Sequence, residues 1–169
     1  MEYLRGLLQK LYRPDSLIYN CFITITILYG LTYLDRSFKK GGRLWRSFQY
    51  WSVWKYFKDY FNAAITLEEP LDHSKQYIFC CFPHGTSTVS HILTMTDCCG
   101  MLTKHYKGER RDLCATILFY IPIFKDILLW LGNVDANSKT AQYNLSKGRS
   151  LYIYIGGEKE QLLTEFGDR

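Results

Sequence analysis

The sequence predicts an α/β fold, with an N-terminal membrane-inserted helix followed by a partial, largely parallel sheet with flanking helices. Residues 16–34 form nineteen consecutive positions without a charge. After Pro70, three short apolar runs, 77–82 (YIFCCF), 113–119 (LCATILF) and 151–155 (LYIYI), read as buried strands. Segments with helix start and stop signals separate them, and strands alternating with helices pair in parallel. The 169 residues match about one domain. A hydrophobic fraction of 47% and a charged fraction of 22% exclude a disordered acidic tail or a polytopic membrane bundle.

As a helix, residues 16–34 would cover roughly 28 Å, against a hydrocarbon thickness of ~30 Å. Asn20, Thr24, Thr26, Gly30 and Thr32 dilute the run, so a span, a re-entrant or interfacial helix and a buried soluble helix all fit its composition. The late start and the lack of a small-residue cleavage site argue against a signal peptide. Arg5, Lys10 and Arg13 precede the run, and Arg36, Lys39, Lys40, Arg43 and Arg46 follow it, a bias that favours a cytosolic C-terminal side. Residues 1–59 hold ten Lys/Arg against four Asp/Glu, and the remainder eleven against twelve. Basic character that sits beside an apolar run, with no nucleic-acid motif, points to a membrane surface rather than a nucleic acid.

Residues 45–61 contain nine aromatics, including three of the four tryptophans. On a helix they point in nearly every direction. Both a headgroup-zone segment and the core of an aromatic-rich domain are consistent with that pattern. The expected division is a membrane anchor with a basic and aromatic interfacial flank over 1–61, and an α/β body over 62–169.

In the body, the strand 77–82 ends at Pro83-His84-Gly85, and a helix is expected over 88–101. A charged, solvated connection over 104–112 leads to the strand 113–119. Residues 122–131 fit a helix with a proline in its first turn and Gly132 beyond its end. Asn137 or Ser138 caps a helix running through Lys147, stopped by Gly148. The strand 151–155 ends at Gly156-Gly157, and 158–166 begins another helix. The six cysteines, at 21, 80, 81, 98, 99 and 114, include adjacent pairs that suit a tetrahedral metal poorly. No metal site is expected, and the thiols read as free in a reducing compartment.

His84 follows a buried strand and a proline, which places it at the carboxyl end of a parallel strand, where ligand sites of α/β sheets form. Histidine can act as a general base near neutral pH, although a lone loop histidine is more often merely exposed or hydrogen-bonded. His73, His91 and His105 lack motif context and read as surface or packing residues. The chain has no Gly-x-Ser-x-Gly nucleophile turn, which disfavours a soluble α/β hydrolase.

Three stretches, 53–61 (VWKYFKDYF), 77–85 (YIFCCFPHG) and 143–162 (YNLSKGRSLYIYIGGEKEQL), resemble the N-terminal half of the type-2 diacylglycerol acyltransferase and monoacylglycerol acyltransferase family, with similar spacing from about residue 45 to 165. Pro83, His84 and Gly85 match the family's Pro-His-Gly, and Phe82 stands where a histidine often precedes the proline. Tyr60 and Phe61 match a Tyr-Phe-Pro motif whose proline is Asn62 here. Gly156 and Gly157 match the Gly-Gly after the third strand, and Glu160 falls on that motif's glutamate.

The resemblance implies a glycerolipid-acyltransferase-like fold, incomplete here, and acyl transfer from acyl-CoA to the hydroxyl of mono- or diacylglycerol at the endoplasmic reticulum membrane. The catalytic part would face the cytosol, and a lipid-droplet location is also compatible. It implies His84 as general base, supported by Pro83, Gly85, Tyr60, Phe61, Gly156, Gly157 and Glu160. Acyl-CoA would be a substrate, with no cofactor. Backbone amides near Gly85, or the hydroxyls of Thr86, Ser87 and Thr88, are candidates for the oxyanion. Related glycerolipid acyltransferases pair the catalytic histidine with an aspartate where this chain has Val89. Glu160 is therefore either the orienting group or a solvated helix-start carboxylate.

The family continues with an Arg-x-Gly-Phe block, which this sequence lacks before Arg169. That departure raises a second expectation, a catalytically silent membrane module that binds membrane lipid or pairs with a full-length relative; a homo-oligomer is likewise compatible. The acceptor alcohol, whether monoacylglycerol, diacylglycerol, wax alcohol or retinol, stays open.

Overall fold

The computed structural model describes residues 17–82 and 89–156. The chain divides into two compact units, Met1–Arg36 and Ser37–Arg169. In the first, α1 (Leu17–Leu31) continues into a 3-10 turn at Thr32–Leu34, and none of its side chains is buried. Thr24 and Thr26 return their hydroxyls to the carbonyls of Asn20 and Phe22, so these two polar positions are satisfied within the helix. The helical run Leu17–Lys39 is long and apolar enough to cross a membrane.

The second unit is built on a four-stranded parallel sheet in the order β1-β4-β2-β3. Its strands are β1 (Ile78–Cys81), β2 (Arg110–Cys114), β3 (Asn133–Asp135) and β4 (Ser150–Tyr154). The helices are α2 (Arg46–Gln49), α3 (Trp54–Tyr60), α4 (Val89–Met95), α5 (Phe124–Leu131) and α6 (Ser138–Ser146). The expected α/β fold with an apolar N-terminal helix and a parallel sheet is present.

Several element boundaries differ from expectation. The second strand begins inside the charged run, because Arg110 and Asp112 pair with Ser150 and Tyr152 of β4. Thr116–Tyr120, expected as strand, is a 3-10 turn, and the Thr116 hydroxyl bonds the Asp135 carboxylate. β3 was not anticipated. The helix expected over 88–101 ends at Met95, and after Gly100, at φ +74°, a π-turn spans Met101–His105. Both Leu102 and Thr103 donate their amides to Asp97 Oδ1 at 2.9 Å, which closes that turn. α5 starts at Phe124 rather than Pro122 because Phe124 N donates to Pro122 O at 2.7 Å, a γ-turn centred on Ile123 at φ +67°.

α6 keeps its expected limits. The Asn137 side chain accepts from Lys139 N at 2.9 Å, and Gly148 takes φ +74° just beyond the end. From α6, Asn144 donates to Lys40 O at 2.7 Å and Thr140 to Lys39 O at 3.1 Å, pinning the start of the unit to the helix. Phe38 stacks on Phe119 at 4.9 Å and packs with Leu128 and Leu129 to form the apolar core. Of the nine aromatics over 45–61, Phe48 and Trp54 are half-buried and the other seven are exposed, an aromatic surface rather than a core.

Candidate functional site

The residues that precede two expected motif segments lie side by side at the end of the sheet. β1 pairs with β4 in the register Cys81↔Tyr154, and Ile155 N donates to Cys81 O at 3.4 Å. Phe82, from which the chain enters Pro83-His84-Gly85, and Gly156, from which it enters Gly157 and Glu160, therefore sit at the carboxyl ends of neighbouring strands. Gly156 has φ +87°, a conformation that favours glycine and turns the chain out of the strand. Pro83, His84, Gly85, Thr86, Ser87, Thr88, Gly157, Glu160 and the helix expected over 158–166 lie outside the described residues. Tyr60 and Phe61 end α3, where their exposed rings meet edge to face at 4.9 Å.

A second cluster, absent from the sequence reading, lies under α4. Residues two apart on a strand share a face, so Arg110 and Asp112 project together from β2. Register places Tyr152 opposite Asp112, with Tyr154 next on the same face. Arg110 grips Asp112 in a fork, Nε to Oδ1 at 2.7 Å and Nη2 to Oδ2 at 3.0 Å, and Nη2 also donates to Thr94 O at 2.8 Å. His91 Nε2 completes the cluster 3.1 Å from Asp112 Oδ2. Its ring lies parallel to Tyr152 and edge-on to Tyr154 at 4.7 Å.

His91, read from the sequence as a surface or packing residue, is thus a buried partner of an ion pair, and only 6% exposed. Arg110 and Asp112, read as part of a solvated connection, are equally buried. The opposite charges at i and i+2 beside Leu-Cys-Ala were the available signal.

Electrostatics fit the geometry. Burial opposes ionisation of Asp112, but the Arg110 guanidinium and the His91 imidazole outweigh it and hold the carboxyl below the usual carboxylate range. Burial, with Cys81 beside Tyr152 and the Asp112 charge near Tyr154, pushes both phenols up, so they stay neutral. An ionised carboxylate only accepts hydrogen bonds, so it orients the His91 ring and assigns the Nε2 proton. No group of three or more His, Cys, Asp or Glu side chains suited to a metal ion occurs among the described residues.

The family model for diacylglycerol acyltransferase matches residues 16–168. Mouse (Mus musculus) 2-acylglycerol O-acyltransferase 1 is 33% identical over 145 residues, covering 83% of this chain and 43% of that protein. Diacylglycerol O-acyltransferase 2 of Bos taurus is 33% identical over 149 residues, covering 85% and 41%. Diacylglycerol O-acyltransferase 2A of Umbelopsis ramanniana is 34% identical over 145 residues, covering 83% and 41%. No solved structure matches. The chain spans about two fifths of the length of these curated relatives, 41–43%. The match runs from α1 through the whole sheet and takes in both motif segments of the sequence, and on that extent the chain belongs to the diacylglycerol acyltransferase family.

Proposed function

We propose that the chain carries the N-terminal part of an acyl-CoA-dependent O-acyltransferase that converts monoacylglycerol or diacylglycerol to the next glyceride. His84 accepts the proton of the alcohol as its oxygen attacks the thioester carbonyl. The tetrahedral species collapses to the ester, and the departing CoA thiolate takes the proton from the imidazolium, so no acyl-enzyme forms. Pro83, Gly85, Tyr60, Phe61, Gly156, Gly157 and Glu160 support the site. Holding acyl chain and alcohol together lowers the barrier more than the base alone.

The observation that carries this reading is the β1–β4 pairing, because it starts the His84 and Glu160 segments from adjacent strand ends of a family member. The exposed aromatics beside Arg46, Lys55 and Lys58, together with α1, support a location at the endoplasmic reticulum membrane with the sheet facing the cytosol, or at a lipid droplet.

The test is turnover of acyl-CoA and diacylglycerol by microsomes containing the chain. Activity that His84→Ala removes supports the reading, and activity that survives His84→Ala sinks it. The second reading, a silent module that binds lipid or pairs with a full-length relative, is favoured by β1, whose outer edge has no strand partner among the described residues. It requires that the microsomes show no turnover. Release of the chain by carbonate extraction would exclude an integral membrane position.

A further inference from the structure

The fold treats the two adjacent cysteine pairs of the chain oppositely. Cys80 and Cys81 are consecutive on β1, where successive side chains leave by opposite faces, so their sulfurs are held apart. Cys98 and Cys99 occupy the centre of a β-turn closed by Gly100 N, which donates to Asp97 O at 3.0 Å. Their sulfurs lie 3.9 Å apart, and both thiols are free and half-buried. Asp97 fixes the turn from two sides. Its amide donates to Gln49 O at 3.0 Å, and its carboxylate accepts the amides of Leu102 and Thr103.

The pair also joins two elements. Cys98 donates to Leu93 O of α4 at 3.8 Å, and Cys99 donates at 3.7 Å to Ala63 O, just beyond the end of α3. Thiols held this close have a reaction that separated ones lack. One cysteine thiolate attacks a low-molecular-weight disulfide such as glutathione disulfide, forming a mixed disulfide, and the first glutathione leaves as a thiolate that takes up a proton. The neighbouring thiolate then attacks the cysteine sulfur of that mixed disulfide, closes the Cys98–Cys99 bond and expels the second glutathione. The pair loses two electrons and two protons, and the glutathione disulfide is reduced to two glutathione molecules. Consecutive Cα atoms are about 3.8 Å apart, below the ~4.4–6.8 Å of ordinary disulfides, so the ring is strained and thiols reopen it readily. Burial and the neighbouring Cys98 sulfur push the Cys99 thiol up to about 11, which slows the first attack near neutral pH. A closed ring carries no S–H, so closure withdraws the donors from Leu93 O and Ala63 O together.

We infer that Cys98 and Cys99 form a reversible dithiol–disulfide switch, oxidised by a low-molecular-weight disulfide, whose closure releases the clip between α4 and the segment after α3. The thiol chemistry stands on the turn itself. Its effect on acyl transfer rests on the reaction proposed above, because the clip joins the helix that ends in Tyr60 to the helix that follows His84 in the chain.

The full chain in lipid nanodiscs is equilibrated at about pH 8, near the ordinary thiol pKa, in glutathione buffers from fully reduced to fully oxidised. Alkylation with peptide mass spectrometry and hydrogen exchange are read on the same samples. At the oxidised end the peptide holding Cys98 and Cys99 should lose two hydrogen atoms and escape alkylation, and dithiothreitol should restore it. The Cys80–Cys81 peptide should carry glutathione or stay reduced. Exchange over residues 61–66 and 92–97 should quicken about 3–10-fold on closure, the scale of one lost hydrogen bond. Cys99→Ser keeps a donor for Ala63 O but cannot close, so its exchange should be the same in every buffer. Glutathione adducts that persist on Cys98 or Cys99, or unaltered thiols there at the oxidised end, overturn the inference from the unaltered chain alone. Closure without a change in exchange overturns the clip. In microsomes, turnover that His84→Ala removes but closure leaves untouched denies the clip a part in the reaction. A ring that closes and reopens in a chain without turnover upholds the switch and removes the reaction.

Discussion

Gln49 donates its side-chain amide to the main-chain carbonyl of Leu131 at 2.9 Å, across 82 residues of sequence. The second hydrogen of the same nitrogen goes to Met95 O at 3.0 Å. Met95 and Leu131 are the last residues of α4 and α5, so one buried amide caps two helix ends whose carbonyls have no partner within their own helix. Gln49→Ala should cost about 2–4 kcal/mol, since it strips the donor from two buried acceptors. Gln49→Glu should cost more, because it sets an oxygen against both carbonyls. Thermal unfolding of the purified chain checks both, and an unchanged midpoint would mean that the caps are dispensable.

Asp112 makes stability depend on acid. Its carboxyl titrates below its unfolded value of about 3.9, so its contribution is complete above that pH and is lost as pH falls through the lower, folded value. Asp112→Asn should destabilise at neutral pH by roughly 3–5 kcal/mol, because it leaves Arg110 buried without its counter-ion. The gap between variant and parent should narrow in acid below the unfolded value. Denaturant unfolding from pH 7 down to 3 measures it, and a gap independent of pH would contradict the ionised cluster.

Two glycines with positive φ separate backbone strain from crowding. At Gly148, φ +74°, an added Cβ meets nothing within 4 Å, so Gly148→Ala should cost only the left-handed backbone term, about 1 kcal/mol. At Gly132, φ +94°, the Cβ would approach Leu44 Cδ1 to 2.9 Å, and Gly132→Ala should cost roughly 1–3 kcal/mol more. Comparison of their melting temperatures decides it, and equal losses would show that Leu44 yields.

Thiol reactivity should rank by environment. Burial holds Cys114 near about 12 and Cys99, with Cys98 beside it, near about 11, so neither supplies much thiolate at pH 8. Iodoacetamide should modify the exposed Cys80 well before Cys114 in the native chain, and denaturant should erase the difference. Peptide mass spectrometry over a time course reads this directly.

The parts of the fold that were legible in advance are those written locally. Asn137 and Gly148 bracket α6, because a cap and a stop need only their own neighbours. β1 and β4 showed themselves as β-branched and aromatic runs. β3 did not: Asn133-Val134-Asp135 is three residues with polar ends, and its burial is compensated from elsewhere, with Asn133 Nδ2 donating to Leu128 O at 3.2 Å. Arg110, Asp112 and His91 were hidden for the same reason. Charged residues look solvated in a sequence, and only the β2–β4 register and the overlying helix reveal that they neutralise one another. Gln49 sat unnoticed among aromatics because the carbonyls it serves lie far along the chain.

The strand order also sets a timetable for synthesis. β4 occupies the middle of the sheet between β1 and β2, yet follows both in the chain. Tyr77 N, just ahead of β1, waits for Ser150 Oγ, 73 residues later. At ~5–20 residues per second, β1 leaves the ribosome roughly 4–15 s before its neighbour exists. In that interval Phe79 and Cys81 have no sheet to join, and β2 lacks the tyrosines that later flank its ion pair. The sheet can therefore close only once its centre arrives, which makes its assembly a high-contact-order and intrinsically slow step.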